Sequence, residues 1–186
     1  MKRKALFASV FLLATSGQLF AAAPRGWFVA GSAPQFYLVN LDSSVTYSGS
    51  PSTSLQAASS QPGGFVTLMQ SFVADHYREK RVRFSGYVKS DGVGGWAGLW
   101  MRIDEGSQWA AFDNMQDRPI QGTSDWTPYS VVLDVADGAT AVNFGILLSG
   151  SGTVWLSGVK FEVVDSDTPL TGSTANAEPS NLDFSQ

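Results

Sequence analysis

The chain has 186 residues, 44% of them hydrophobic, with no cysteine, one histidine and a formal charge of −4. That length suits one domain once an N-terminal segment is set aside, and it is enough for a core that needs no covalent staple. The missing cysteines exclude thiol catalysis and cysteine-built zinc sites, and an acidic balance without a run of Lys or Arg argues against nucleic acid as a partner.

Residues 1–23 read as a secretory signal peptide. Three cations (Lys2, Arg3 and Lys4) lead an apolar run over 5–15, too short to span a bilayer comfortably, and small residues at 21–23 offer a cleavage site. The expected location is periplasmic or secreted, with no membrane span after cleavage. Losing the three cations moves the formal charge from −4 to −7.

From 24 to 165 the pattern has period two, punctuated by Gly, Ser, Asp and Pro clusters. It predicts strands over 36–42, 54–58, 65–72, 81–90, 96–105, 108–115, 129–135, 141–149 and 154–164. The segment 73–80, "VADHYREK", holds a turn or two at most. Many short strands with glycine-rich turns imply an all-β fold, a two-sheet antiparallel β-sandwich of jelly-roll type. Alternation assigns faces: Val82, Phe84 and Val88 oppose Arg83, Ser85, Tyr87 and Lys89. Ala97, Leu99, Met101 and Ile103 likewise oppose Trp96, Trp100, Arg102 and Asp104. From 166 to 186 the Ser, Thr, Pro and Gly content is that of a mobile tail, although its ending, "NLDFSQ", alternates again.

The stretches "GWFVAGSAPQFYLV", "YREKRVRFSGYVKSDGV", "GLWMRID", "AFDNMQDRPIQGTSDW" and "FGILLSGSGTVWLSGVKFEVV" together resemble a galactose-binding-like jelly-roll domain. Such domains occur in bacteria beside AraC-type transcriptional regulators and secreted hydrolases, and also alone. The resemblance implies a binding module. It also implies an opening strand similar to "NLDFE", absent before "GW" here. Two readings of the "NLDFSQ" ending stand: a vestigial linker into a lost second domain, which is the favoured one, or that edge strand at 181–185, supplied within its own domain or by self-association with a neighbour. The chain shows no helix-turn-helix pattern, which argues against DNA binding.

The candidate site follows from the chemistry of sugars, whose C–H faces stack on aromatic rings and whose hydroxyls need planar donors and acceptors. Trp100, Arg102 and Asp104 share one strand face, and Tyr87 and Arg83 are expected on an adjacent strand. Trp109, Asp113 and Asn114 follow across a short turn. Trp126 and Trp155 read as packing residues, and an Arg102–Asp104 ion pair is the plain alternative for those two. The oxygens of "DNMQD" suit either a hydrogen-bonded turn locked by Asp117 and Arg118 or a structural calcium ion; no other cofactor is expected. His76 sits in a charged turn with no triad pattern around it. The expectation is a non-catalytic, exported carbohydrate-binding module. A protein-interaction or envelope structural role is the alternative, and a hydrolase using Asp104 and Asp113 comes third.

Overall fold

The computed structural model describes residues 23–174. Residues 1–22, on which the expected signal peptide falls, and the "NLDFSQ" ending with its candidate edge strand lie outside the described residues.

Ten strands follow one another: β1 (Phe28–Ala30), β2 (Tyr37–Tyr47), β3 (Ser50–Ala57), β4 (Phe65–Val73), β5 (Lys80–Glu105), β6 (Gln108–Asp113), β7 (Ile120–Val135), β8 (Ala141–Ser149), β9 (Thr153–Val164) and β10 (Ser173–Thr174). The only helical turn among the described residues is a 3₁₀ turn, Pro34–Phe36. All strand pairs are antiparallel, and the ladder runs β1-β4-β8-β5-β9-β3-β2, with β6 and β7 also on β5 and β10 on β6. This single curled sheet folds over itself into two layers. The front layer holds β1, β4, β8, the second half of β5, β6 and β10; the back layer holds β2, β3, β9, the first half of β5 and β7.

The core lies between the layers and matches the expected faces. Val82, Phe84 and Val88 from the back half of β5 are buried, as are Ala97, Leu99, Met101 and Ile103 from its front half. Phe84 meets Phe144 of β8 with centroids 4.7 Å apart, and Phe161 of β9 lies 5.1 Å from the same ring, so the two layers join through aromatic contacts.

Three features differ from the sequence reading. First, the predicted strands 81–90 and 96–105 are one strand. Its "DGVGG" interval is an irregular ladder with register shifts between Ser90, Val93 and Ala97, rather than a turn. Gly92, at φ +60, sits within it, and the inward parity moves from even numbers (Val82, Phe84) to odd (Val93, Ala97, Leu99). Second, β7 begins at Ile120, nine residues before the predicted 129, because its polar first half follows β5 past the junction instead of covering core. Third, residues 166–174 lie against the sandwich although their composition is that of a linker. Arg81 Nη1 donates to the carbonyls of Ser166 and Thr168 at 2.5 and 2.6 Å, Thr171 exchanges bonds with Val132, and β10 pairs with β6. Backbone hydrogen bonding needs no apolar side chain, so composition conceals it.

At the junction between layers, Gly152 (φ +100) passes over Gly92 so closely that a Cβ there would lie 2.6 Å from the Gly92 carbonyl. Gly106, also at positive φ, has open space around it. Gly106→Ala is expected to cost about 1–2 kcal/mol, the left-handed strain alone. Gly152→Ala adds overpacking of about 1–3 kcal/mol. Equal losses in urea unfolding would show that the junction is not a close backbone crossing.

In the back layer, Asp42 Oδ1 accepts from the Ser44 hydroxyl (2.7 Å), the Ser44 N–H (2.9 Å) and the Val45 N–H (3.0 Å), and Oδ2 accepts from Trp155 Nε1 (3.0 Å). These donors, the Ser44 hydroxyl foremost, bring its pKa down to about 2. A depressed folded-state pKa means that this contribution is whole above the ordinary carboxylate pKa of about 4 and is lost as pH falls toward 2. The midpoint of thermal unfolding should therefore drop more steeply between pH 4 and 2 in the wild type than in Asp42→Asn. Parallel curves would contradict this assignment.

Candidate functional site

The outward side of the front layer carries a groove. Cross-strand register sets its rows: Trp96 lies beside Ser149 and Phe65, Gly98 beside Leu147, Thr67 and Ala30, Trp100 beside Gly145 and Met69, and Arg102 between Phe112 and Asn143. The resulting depression encloses about 760 Å³ and is lined from five elements. Ala30, Gly31 and Ser32 close one bank. Phe65, Thr67 and Met69 of β4 with Leu147 and Ser149 of β8 make part of the floor, and Trp96, Trp100, Arg102, Phe112 and Asn114 make the rest.

Trp100 forms the floor rather than a free platform. Its ladder partner on β8 is Gly145, and the indole reaches past β8, where Nε1 donates to Thr67 Oγ1 on β4 at 2.7 Å. The Thr67 hydroxyl donates onward to the Ile146 carbonyl at 2.9 Å. The ring is left 8% exposed. Half-buried Trp96, half-buried Phe112 and Phe65 (37% exposed) offer more apolar surface to a ligand.

Arg102 is exposed at the groove, and its Nε and Nη2 donate to the two oxygens of Asp104 at 2.6 and 3.0 Å. Asp104 Oδ2 also accepts from Asn143 Nδ2 at 2.8 Å. The pair lies along one strand, two residues apart, rather than across strands. Pairs this exposed contribute little stability; what this one does is hold the guanidinium over the groove. Asp104 itself is not part of the lining. Trp109 shares this outward face, paired with Asp104 and 6.1 Å from the Phe112 ring, but stands beyond the groove with 47% of its surface exposed. Asn114 reaches the lining because the loop after β6 crosses Gly98, where a Cβ would meet the Asn114 carbonyl at 2.9 Å.

Three of the expected site residues lie elsewhere. Asp113 pairs with Met101 in the ladder and so points inward; it is buried, accepts the Met115 N–H at 2.8 Å and takes both terminal nitrogens of Arg118 at 2.5 and 3.2 Å. Arg118 Nη1 also holds Asp117 at 2.9 Å, so the oxygens considered for calcium are drawn onto a guanidinium and the "DNMQD" segment is a locked turn. Arg83 and Tyr87 are not on a strand adjacent to Trp100. They belong to the same strand, before the junction, and face outward from the back layer. There Arg83 binds Glu162, and Tyr87 stacks on Tyr47 at 3.9 Å. Trp126 and Trp155 are half-buried on that back layer, Trp126 5.6 Å from Tyr47 and Trp155 bonded to Asp42. The sequence reading placed Trp96 on the correct face without counting it in the site, and it missed Phe65, Thr67, Met69, Leu147 and Phe112. Nothing in one sequence says that β4, β8 and β5 are neighbours.

No protein-family model matches the chain. Among solved structures, it superposes on the CBM22-1 xylan-binding domain of Paenibacillus barcinonensis Xyn10C with a TM-score of 0.56, at 15% identity over 79% of this chain and 91% of that one. The fold is a galactose-binding-like jelly roll. The same jelly roll superposes on a Stig cyclase, Fisc, from Fischerella sp. TAU, with a TM-score of 0.52 at 12% identity over 77% of this chain and 87% of that one. In sequence it is 40% identical over 168 residues to an uncharacterized HTH-type transcriptional regulator, YbfP, of Bacillus subtilis (strain 168). That alignment takes in 87% of this chain and 57% of the regulator, so the jelly roll spans little more than half of its relative's length.

Because Trp100 is sealed into the floor, Trp100→Ala is expected to lose about 3–5 kcal/mol of stability in urea unfolding. Thr67→Val, which strands the indole N–H, should lose about 1–3 kcal/mol. A loss below about 1 kcal/mol for Trp100→Ala would mean that the indole is a surface residue.

Proposed function

We propose that this chain is an exported, non-catalytic module that holds a glycan in the front groove. The observation that carries the reading is the lining itself. Aromatic side chains (Trp96, Phe65 and Phe112) stand around a floor closed by Trp100, with a guanidinium held in place at Arg102 and an amide at Asn114. Apolar sugar faces would lie against the rings, and hydroxyls would accept from Arg102 and exchange bonds with Asn114 and Ser149. Asp104 serves by fixing Arg102, not by touching the ligand.

Likeness to a xylan-binding domain supports a glycan as the ligand class, since it shares the fold. The relation to a regulator fits a ligand-binding part of that protein better than a DNA-contacting one, because the described residues form strands with no helix-turn-helix and the formal charge is negative. Against turnover stands the composition of the groove, whose described lining includes no carboxylate or histidine to act as general acid or base. His76 belongs to the turn after β4, and its carbonyl accepts from Lys80 Nζ. The signal segment supports periplasmic or extracellular delivery.

Titration with xylo-oligosaccharides, and with β-glucan and mannan oligomers beside them, tests the reading. At least one class is expected to bind, with affinity falling tenfold or more, about 1.4 kcal/mol, in both Phe112→Ala and Arg102→Ala at little loss of stability. Binding indifferent to both substitutions, or a panel that never binds, would refute the groove as a glycan site and favour a protein-interaction role.

A further inference from the structure

The back layer has an outward hollow of its own, on the opposite side of the sandwich. It encloses about 290 Å³, near the lower end of ligand-site sizes. Three ladder rows build it. Tyr87 lies beside Pro128, Ser85 lies between Ser130 and Lys160, and Arg83 lies beside Glu162. From Arg83 to Tyr87 is four residues of strand, about 13 Å.

Each row brings distinct chemistry. At one end Tyr87 is clamped against Tyr47, with interplanar angle 20°, and Gly158 fits beside both rings, since a Cβ there would lie 3.1 Å from Tyr87 and 3.5 Å from Tyr47. At the other end Arg83 Nε and Nη2 both donate to one oxygen of Glu162, at 3.0 and 2.9 Å, so the second carboxylate oxygen remains an acceptor. Ser85 and Ser130 line the middle.

Charge gives the hollow its selectivity. On this face Arg81, Arg83 and Lys89 are each bonded to a carboxylate on a neighbouring strand: Asp134, Glu162 and Asp125. Lys160 is exposed and, among the described residues, has no carboxylate within 4.0 Å. The hollow is thus locally cationic in a chain whose formal charge is negative. An unpaired ammonium beside a ring, two hydroxyls and a free acceptor oxygen matches a sugar that carries a carboxylate.

We propose that this hollow is a second ligand site, selective for an acidic saccharide of the uronic-acid class. The sugar carboxylate lies on Lys160, its hydroxyls lie on Ser85, Ser130 and Glu162, and its ring lies against Tyr87 and Pro128. The proposal is independent of the front groove, so either site can fail without the other.

The test is titration of the intact protein with digalacturonate, the neutral galactose disaccharide and sodium acetate, read by calorimetry and by chemical shifts of tyrosine and lysine side chains. Digalacturonate is expected to bind at low millimolar concentration or tighter and to weaken with added salt. The neutral disaccharide should bind at least tenfold more weakly, and acetate should not displace digalacturonate at matched concentration. Lys160→Gln, at an exposed position that folding does not need, should lower the affinity tenfold or more, whereas Phe112→Ala in the front groove should leave it unchanged. Absence of binding, equal binding of the neutral sugar, displacement by acetate, or indifference to Lys160→Gln would each overturn the proposal.

Discussion

Everything in this fold hangs on the pairing of β5 along both of its sides. Over its 26 residues the strand is flanked by β7 and then β6 on one side, and by β9 and then β8 on the other, so it is central in both layers at once. A strand paired on both sides has no free edge and little freedom to slip, because a one-residue shift would exchange Leu99, Met101 and Ile103 for Trp100, Arg102 and Asp104 in the core. What lets it serve two layers is the irregular interval from Ser90 to Ala97. Gly152 lets its backbone pass over Gly92 there at a separation that a side chain at 152 would obstruct.

That crossing also governs the chemistry of the surfaces. Before it, odd-numbered residues of β5 face solvent, so Arg83, Ser85 and Tyr87 mark the back layer. After it, even-numbered residues do, so Trp96 and Arg102 mark the front. One strand therefore equips two opposed faces with different side chains. On the front face Trp100, paired with Gly145 of β8, lies across the sheet and bonds to Thr67 of β4. The indole then gives the groove a rigid apolar floor, at the cost of its own availability for stacking.

The parts of this arrangement that were legible in the sequence are those set by period-two alternation within one strand. The inward run Ala97, Leu99, Met101 and Ile103 is unbroken, and a core needs it to be so. Alternation does not say which strands are neighbours, so Arg83 and Tyr87 were expected beside Trp100 when they lie across the sandwich. It also fails where an interval counts residues differently, as between Ile103 and Asp104, where a register shift separates Trp109 from the parity of Phe112. Asp113 was misplaced for a related reason. A charged residue after an aromatic one looks outward-facing, yet Arg118 five residues on supplies the partner that makes its burial tolerable. The short β1 and the polar start of β7 carry no apolar rhythm of their own, since their backbones pair while their side chains cover little core.

Shared fold does not choose between binding and turnover, because a xylan-binding domain and a cyclase both superpose on this chain. The choice lies with the carboxylates nearest the groove. A glycosidase-type reaction needs one carboxyl group that donates a proton and another that attacks or activates water. Here Asp104 is bonded to Arg102 and Asn143, and Asp113 is buried on the other side of the sheet under Arg118. Neither carboxylate lines the groove. The same two pairs order the groove's rim and its adjoining loop, so what these carboxylates supply is the placement of Arg102 over the groove and the shape of the turn beside it.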